Sequence, residues 1–171
     1  MSPIPAISGP QVLLFDTGPL WELVLYSAVR PPLRFARLTG DLKYLRSERS
    51  YQRLSEFVGS FRRKTTSPHV VAEISTRIIR TEQKGWRAIW GLVYREFSSM
   101  GMDEESLKLL EMSQELVTNL GAVDVSILEI GRRLGQSNPL ILTIDSHLIA
   151  ECSRAGVSTK HLREVVAGEN P

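Results

Sequence analysis

Two short apolar runs dominate the hydropathy pattern, and each runs into an aspartate: "QVLLFD" at residues 11–16 and "PLILTID" at residues 139–145. A wholly apolar stretch of this length, bounded by proline and turn residues, suits a strand buried on both faces, as in a parallel sheet. Elsewhere the apolar positions recur at helical spacing. A helix is expected over residues 19–29, with Pro19 as its first residue, Thr17 or Gly18 near the cap, and Pro31-Pro32 stopping it. Residues 30–41 read as a loop. Leu54, Phe57, Val58 and Phe61 share one face of a helix expected over residues 44–61.

Ser67-Pro68 gives a cap followed by a first-turn proline, and Val70, Val71, Ile74 and Ile78 recur beyond it. Ile89, Trp90, Val93 and Phe97 align in a helix over residues 86–98, which Gly101 breaks. Asp103-Glu104-Glu105 places acids where a helix N-terminus favours them, and Leu109, Met112, Leu116 and Leu120 continue that expected element. Val123, Ile127, Ile130 and Leu134 mark a further helix that Gly135 closes. Residues 146–155 form a helix with Leu148, Ile149 and Cys152 inward, and "VSTKHL" suits a last short strand. Strands separated by helices predict an α/β domain with a mainly parallel central sheet flanked by helices in three layers. Its expected limits are residues 11–165, between a flexible arm at 1–10 and a tail at 166–171.

Composition narrows the class without choosing a function. The chain has 171 residues, 42% of them hydrophobic and 23% charged, which suits one soluble globular domain. A net charge of +2 is too mild to signal nucleic-acid binding without local clustering. The single cysteine, Cys152, excludes an intramolecular disulfide and a thiolate metal site. No apolar run approaches the ~20 residues of a membrane span. The first residues lack the pattern of a signal peptide, so the expected location is cytoplasmic.

The chemistry is in the acids. In a parallel α/β sheet the carboxyl ends of the strands share one rim, where ligands sit, so Asp16 and Asp145 are expected neighbours. Glu73, beside the apolar stripe of the Pro68 helix, and Asp124, at the start of the Val125 helix, can join them. Two carboxylates about 4 Å apart repel by roughly 4 kcal/mol at an effective dielectric of about 20. Gathering four of them calls for a cation or shared protons. Hard oxygen donors without a cysteine cluster favour Mg²⁺ or Mn²⁺, which suits phosphodiester hydrolysis. Taken singly, each acid also has a plain reading: a turn bond for Asp16, a helix cap for Asp145, a dipole partner for Asp124 and a solvated position for Glu73.

The segments "LLFDTGPL", "SPHVVAEIS", "GAVDVSILEIG" and "LILTIDSHLIAECSRAGV" resemble, in order, the four signature segments of the PIN domain, the ribonuclease fold of VapC-like toxins. The resemblance implies a PIN-like three-layer fold in which Asp16, Glu73, Asp124 and Asp145 are catalytic and metal-binding, with Thr143 as the threonine of a Thr-x-Asp motif. It implies a Mg²⁺- or Mn²⁺-dependent endoribonuclease acting on single-stranded or structured RNA. Such proteins are often homodimers and toxins inhibited by an antitoxin protein. The chain departs from a compact toxin of this kind by extra residues between Val29 and Ser67 and around residues 84–102, and by Ser146 after the last aspartate.

Several assignments stay open at this point. Thr17 and Thr143 are candidates for orienting a ligand or a bound water, against turn hydrogen bonds. Arg62 and Arg63 are candidates for gripping substrate phosphates, as are Arg132 and Arg133, against the plain reading of solvated faces. Trp86 and Trp90 suit packing or a dimer face better than base stacking. A haloacid-dehalogenase-type phosphatase also begins with an "FDTG"-like motif, but it needs a second aspartate where this chain has Gly18. A non-catalytic PIN-fold module that binds or scaffolds partners in RNA metabolism is the alternative from another class.

Overall fold

The computed structural model describes residues 10–29, 42–81, 86–108 and 111–167. Residues 1–9 of the expected arm, the loop over 30–41 with its Pro31-Pro32 stop, and residues 168–171 of the tail lie outside them. Strand β1 (Val12–Phe15) is followed by helix α1 (Thr17–Val29), α2 (Glu48–Gly59), β2 (Arg63–Thr66), α3 (Pro68–Thr81) and α4 (Trp86–Met100). Then come β3 (Met102–Glu104), α5 (Gln114–Leu120), α6 (Ala122–Arg133), β4 (Pro139–Thr143), α7 (Ser146–Arg154), β5 (Ser158–His161) and α8 (Leu162–Ala167).

The sheet has the order β3-β2-β1-β4-β5, and every pairing is parallel. This is the α/β architecture that the alternation of apolar runs and helical stretches predicts. β1 is central, and all four of its residues are buried, which explains why it carries no polar alternation. Helix α1 packs on β4, with α2, α3 and α4 against it, while α6 packs on β1 and β4 with α7 beside it. Leu13, Phe15, Trp21, Leu25, Ile74, Ile89, Ile127 and Ile141 belong to the continuous core between these layers. Among the described residues no helix is long and apolar enough to cross a membrane.

The structure corrects the expected elements in three places. Residues 63–66, "RKTT", form a strand rather than a lead-in to α3. The strand has no apolar residue, yet Thr65 and Thr66 are fully buried. Their hydroxyls donate to the carbonyls of Asp103 and Phe15 on the flanking strands, at 3.1 and 2.9 Å, so burial leaves no donor unpaired. The acids expected in a first helical turn form edge strand β3 and its exit instead, and the next described α-helix is Gln114–Leu120. Here the open edge of β2 supplies backbone partners, and that tertiary pairing overrides the local preference. Finally, the helix expected from residue 44 begins at Glu48, where Ser47 and Ser50 form a reciprocal capping box.

The stretch before that cap is held by a buried charge. Glu22 on α1 is 2% exposed, and its carboxylate accepts N–H bonds from Lys43, Tyr44 and Leu45 at 3.0, 2.9 and 2.8 Å. Three backbone donors satisfy the anion and pin the returning chain onto α1. At its other end α8 is tied to α2 by Arg53, which donates to the carbonyls of Val166 (2.9 Å) and Ala167.

Candidate active site

The strand order reverses beside β1: the chain leaves β1 towards β2 on one side and later returns to β4 on the other. In open α/β sheets the crevice at such a reversal, outside the carboxyl ends of the strands, is where ligands bind. Asp16 follows the last residue of β1, and Asp145 lies just past the end of β4. Both therefore sit on that rim. A cleft of about 460 Å³ opens there, lined by Asp16, Glu73, Asp124 and Asp145 together with Thr17 and Arg77. Four acids that span most of the chain share one opening.

Each acid is set by its own local device. Asp16 lines this cleft while being only 5% exposed. Its Oδ1 accepts the N–H of Thr17 at 2.6 Å, and its Oδ2 accepts the hydroxyl of Thr143 at 2.7 Å. That hydroxyl also accepts the backbone N–H of Asp145 at 2.9 Å. One buried threonine thus fixes the two strand-end aspartates relative to each other. Asp145 is also the N-cap of α7, its Oδ1 accepting from the N–H groups of His147 and Leu148 at 2.6 and 3.1 Å.

Glu73 is brought in from α3, where its Oε2 accepts from Thr17 Oγ1 at 2.8 Å and its Oε1 pairs with Arg77 Nη2 at 2.8 Å. Asp124 lies in the first turn of α6, after Gly121, whose φ of 89° suits a residue without Cβ. The N-termini of α3 and α6 meet through the buried hydroxyls of Ser67 and Ser126, 3.0 Å apart, and Glu73 and Asp124 from these two helices both line the cleft. Gly18 has a steric reason as well. A Cβ there would stand 2.5 Å from Ile144, between Thr143 and Asp145. The second aspartate required by the phosphatase reading would have to displace the Ile144 side chain at that position.

The electrostatics follow from this crowding. Burial pushes the Asp16 carboxyl up, the bonds from Thr143 and Thr17 oppose it, and repulsion from Glu73 and Asp145 adds to the rise. Asp124 has no hydrogen-bond partner among the described residues. Burial, followed by repulsion from Asp16, Asp145 and Glu73, pushes it up to about 7. Behind the cleft, buried Cys152 is pushed up to about 12, first by burial and then by the charges of Asp16 and Asp124, so it is a neutral core thiol.

The donor set is four carboxylates with threonine hydroxyls, hard oxygen ligands whose chemistry fits Mg²⁺ or Mn²⁺. Among the described residues no three acid, histidine or cysteine side chains are placed as ligands of one ion. The physical account is the one above: Glu73 is engaged by Arg77 and Thr17, Asp145 by helix N–H groups and Asp16 by Thr17 and Thr143.

The remaining candidates lie elsewhere. Arg62 is exposed before β2 and lines a different groove with Phe57, Phe61 and Lys160. Arg63 pairs with Asp103 at 3.2 Å and with Glu105, Arg132 with Glu129 at 3.1 Å, and Arg133 with Glu105 at 3.3 Å. None of these four arginines lines the carboxylate cleft. Trp86 and Trp90 are half-buried against the core, and Trp90 meets Phe97 edge-on with ring centroids 6.4 Å apart. Sequence reasoning passed over Arg77 and Ser126. The signal for Arg77 was its spacing four residues after Glu73 on one helix. The signal for Ser126 was a hydroxyl between Val125 and Ile127 on a buried face. Comparison with protein-family models and with curated proteins finds no match for this chain.

Proposed function

We propose that this protein is a metal-dependent endoribonuclease, in which Asp16, Asp124 and Asp145 hold Mg²⁺ or Mn²⁺ and Glu73 assists directly or through water. The observation that carries the reading is the convergence of all four acids on one cleft at the strand-order reversal, with Asp124 lacking a hydrogen-bond partner among the described residues and pushed up to about 7. A cluster that raises its own members' proton affinity is one that a divalent cation stabilises. Such an ion, when bound, activates water and neutralises phosphate oxygens. The protein's own part is orientation: Thr143 sets Asp16 and Asp145, and Ser67 with Ser126 set the helices that carry Glu73 and Asp124. RNA as substrate rests on the PIN resemblance of the four segments that carry these acids.

The test is cleavage of a single-stranded RNA oligonucleotide with Mn²⁺ and with excess chelator, using wild type and Asp16→Asn. Wild type should cleave only with the metal. Asp16→Asn should keep its circular-dichroism spectrum and lose about a hundredfold or more in rate. Equal cleavage by the two proteins would defeat the assignment. One observation favours a second reading, a non-catalytic PIN-fold module: the acids are engaged by internal partners rather than arranged as a ligand set. Calorimetric titration separates the two, since that module would take up no Mn²⁺ at millimolar concentration.

A further inference from the structure

Arg77 is the only lysine or arginine among the described residues lining the carboxylate cleft, and it lies one helical turn beyond Glu73 on α3. Its Nη2 stands 2.8 Å from Glu73 Oε1, while Oε2 of the same carboxylate accepts from Thr17. The pair therefore gives one oxygen of Glu73 a counter-charge, while Glu73 still lines the cleft with the other three acids. The Arg77 side chain is 44% exposed, so its guanidinium can turn without disturbing the core. An exposed Glu–Arg pair at this spacing contributes little to stability. A phosphate diester offers a planar guanidinium two parallel charge-assisted bonds instead. The arginines near residues 62 and 132 are engaged by Asp103, Glu105 and Glu129 or lie at other surfaces.

Resting on the ribonuclease reading, we propose that Arg77 is the substrate-phosphate clamp of this cleft, held on Glu73 until RNA enters. When the guanidinium turns to a non-bridging phosphate oxygen, Glu73 loses its counter-charge and its Oε1 is free for the cation, and substrate and cation then favour each other's binding. Arg77 is thus a positioning residue for substrate and, through Glu73, for the cation.

Two measurements test this. In the first, a 5′-labelled single-stranded RNA binds Asp16→Asn, which leaves the probe intact, at a series of salt concentrations with Mn²⁺, and the same is done after adding Arg77→Gln or Arg77→Lys. Arg77→Gln should weaken binding by about tenfold or more. It should also flatten the plot of log affinity against log salt by about 0.7, the share of one phosphate contact. Arg77→Lys should retain that slope. In the second, Mn²⁺ titrates otherwise wild-type Arg77→Gln without RNA, and it should bind more tightly than to wild type because the competing cation is gone. An unchanged salt slope in Arg77→Gln, or equal or weaker Mn²⁺ binding, overturns the clamp while leaving the nuclease reading intact. Failure of the wild type itself to bind Mn²⁺ and cleave RNA overturns both.

Discussion

Among the described residues two acidic clusters stand out, one at the β1–β4 rim and one on the β2–β3 flank, and they are balanced in opposite ways. On the flank, Asp103, Glu105 and Glu111 meet Arg63 and Arg133 in a network of ion pairs. Arg63 is held above its ordinary range, first by its hydrogen bond to Glu105. Each charge there stabilises another. At the rim, four carboxylates face one guanidinium, and both shifted aspartates are pushed up rather than down. Like-charged groups gathered in a half-buried cleft cost folding energy, so that cluster has the signature of a site and the flank has the signature of scaffolding. Glu22 shows a third arrangement, a buried carboxyl group that accepts three backbone N–H groups.

Removing one charge from each place should therefore have opposite consequences. The largest effect is expected from Asp124→Asn. On the nuclease reading it loses about a hundredfold or more in RNA cleavage, yet the metal-free protein should melt at a higher temperature than wild type. The pH dependence has the same origin. Asp124 binds its proton more tightly folded, at about 7, than its ordinary value of 3.8. Its contribution to stability is therefore fully present below 3.8 and is lost as pH rises through about 7. In chelator, the melting temperature of wild type should fall between about pH 4 and about pH 7, and Asp124→Asn should flatten that fall. A slope that Asp124→Asn leaves unchanged would show that the cluster is not strained by this group.

Next in size is Glu22→Ala, which takes the acceptor from three N–H groups, one of them that of buried Leu45. It should cost about 2–3 kcal/mol, read as a melting temperature lowered by roughly 5–10 °C. A loss within experimental scatter would mean that solvent replaces the carboxylate. The smallest effect belongs to the flank. Glu105→Gln takes away the acid between Arg63 and Arg133 and should destabilise by about 1 kcal/mol without altering RNA cleavage. A gain in stability there would erase the contrast between the clusters.

Much of this was legible in local pattern. β1 and β4 announce themselves as unbroken apolar runs, and α3, α6 and α7 as apolar stripes with caps or first-turn signals. The N-cap role of Asp145 follows from its place before Ser146, and the same residue also reaches the cleft. β2 and β3 were not legible, because "RKTT" and "MDE" carry no strand periodicity and depend on hydroxyls and backbone groups of neighbouring strands. Arg63 shows the same limit: its sequence neighbours suggest a basic grip, and only its partners across the sheet show it engaged.

By itself the sequence determined the parallel α/β class and the identity of the acids that lie at strand ends and helix starts, because periodicity and termini are properties of adjacent residues. Tertiary structure alone decided that Asp16 is buried, that Asp124 has no hydrogen-bond partner among the described residues, that Thr17 reaches Glu73 and that one threonine joins both strand-end aspartates. Those facts depend on distances between segments far apart in the chain, and such distances are fixed only when the layers pack.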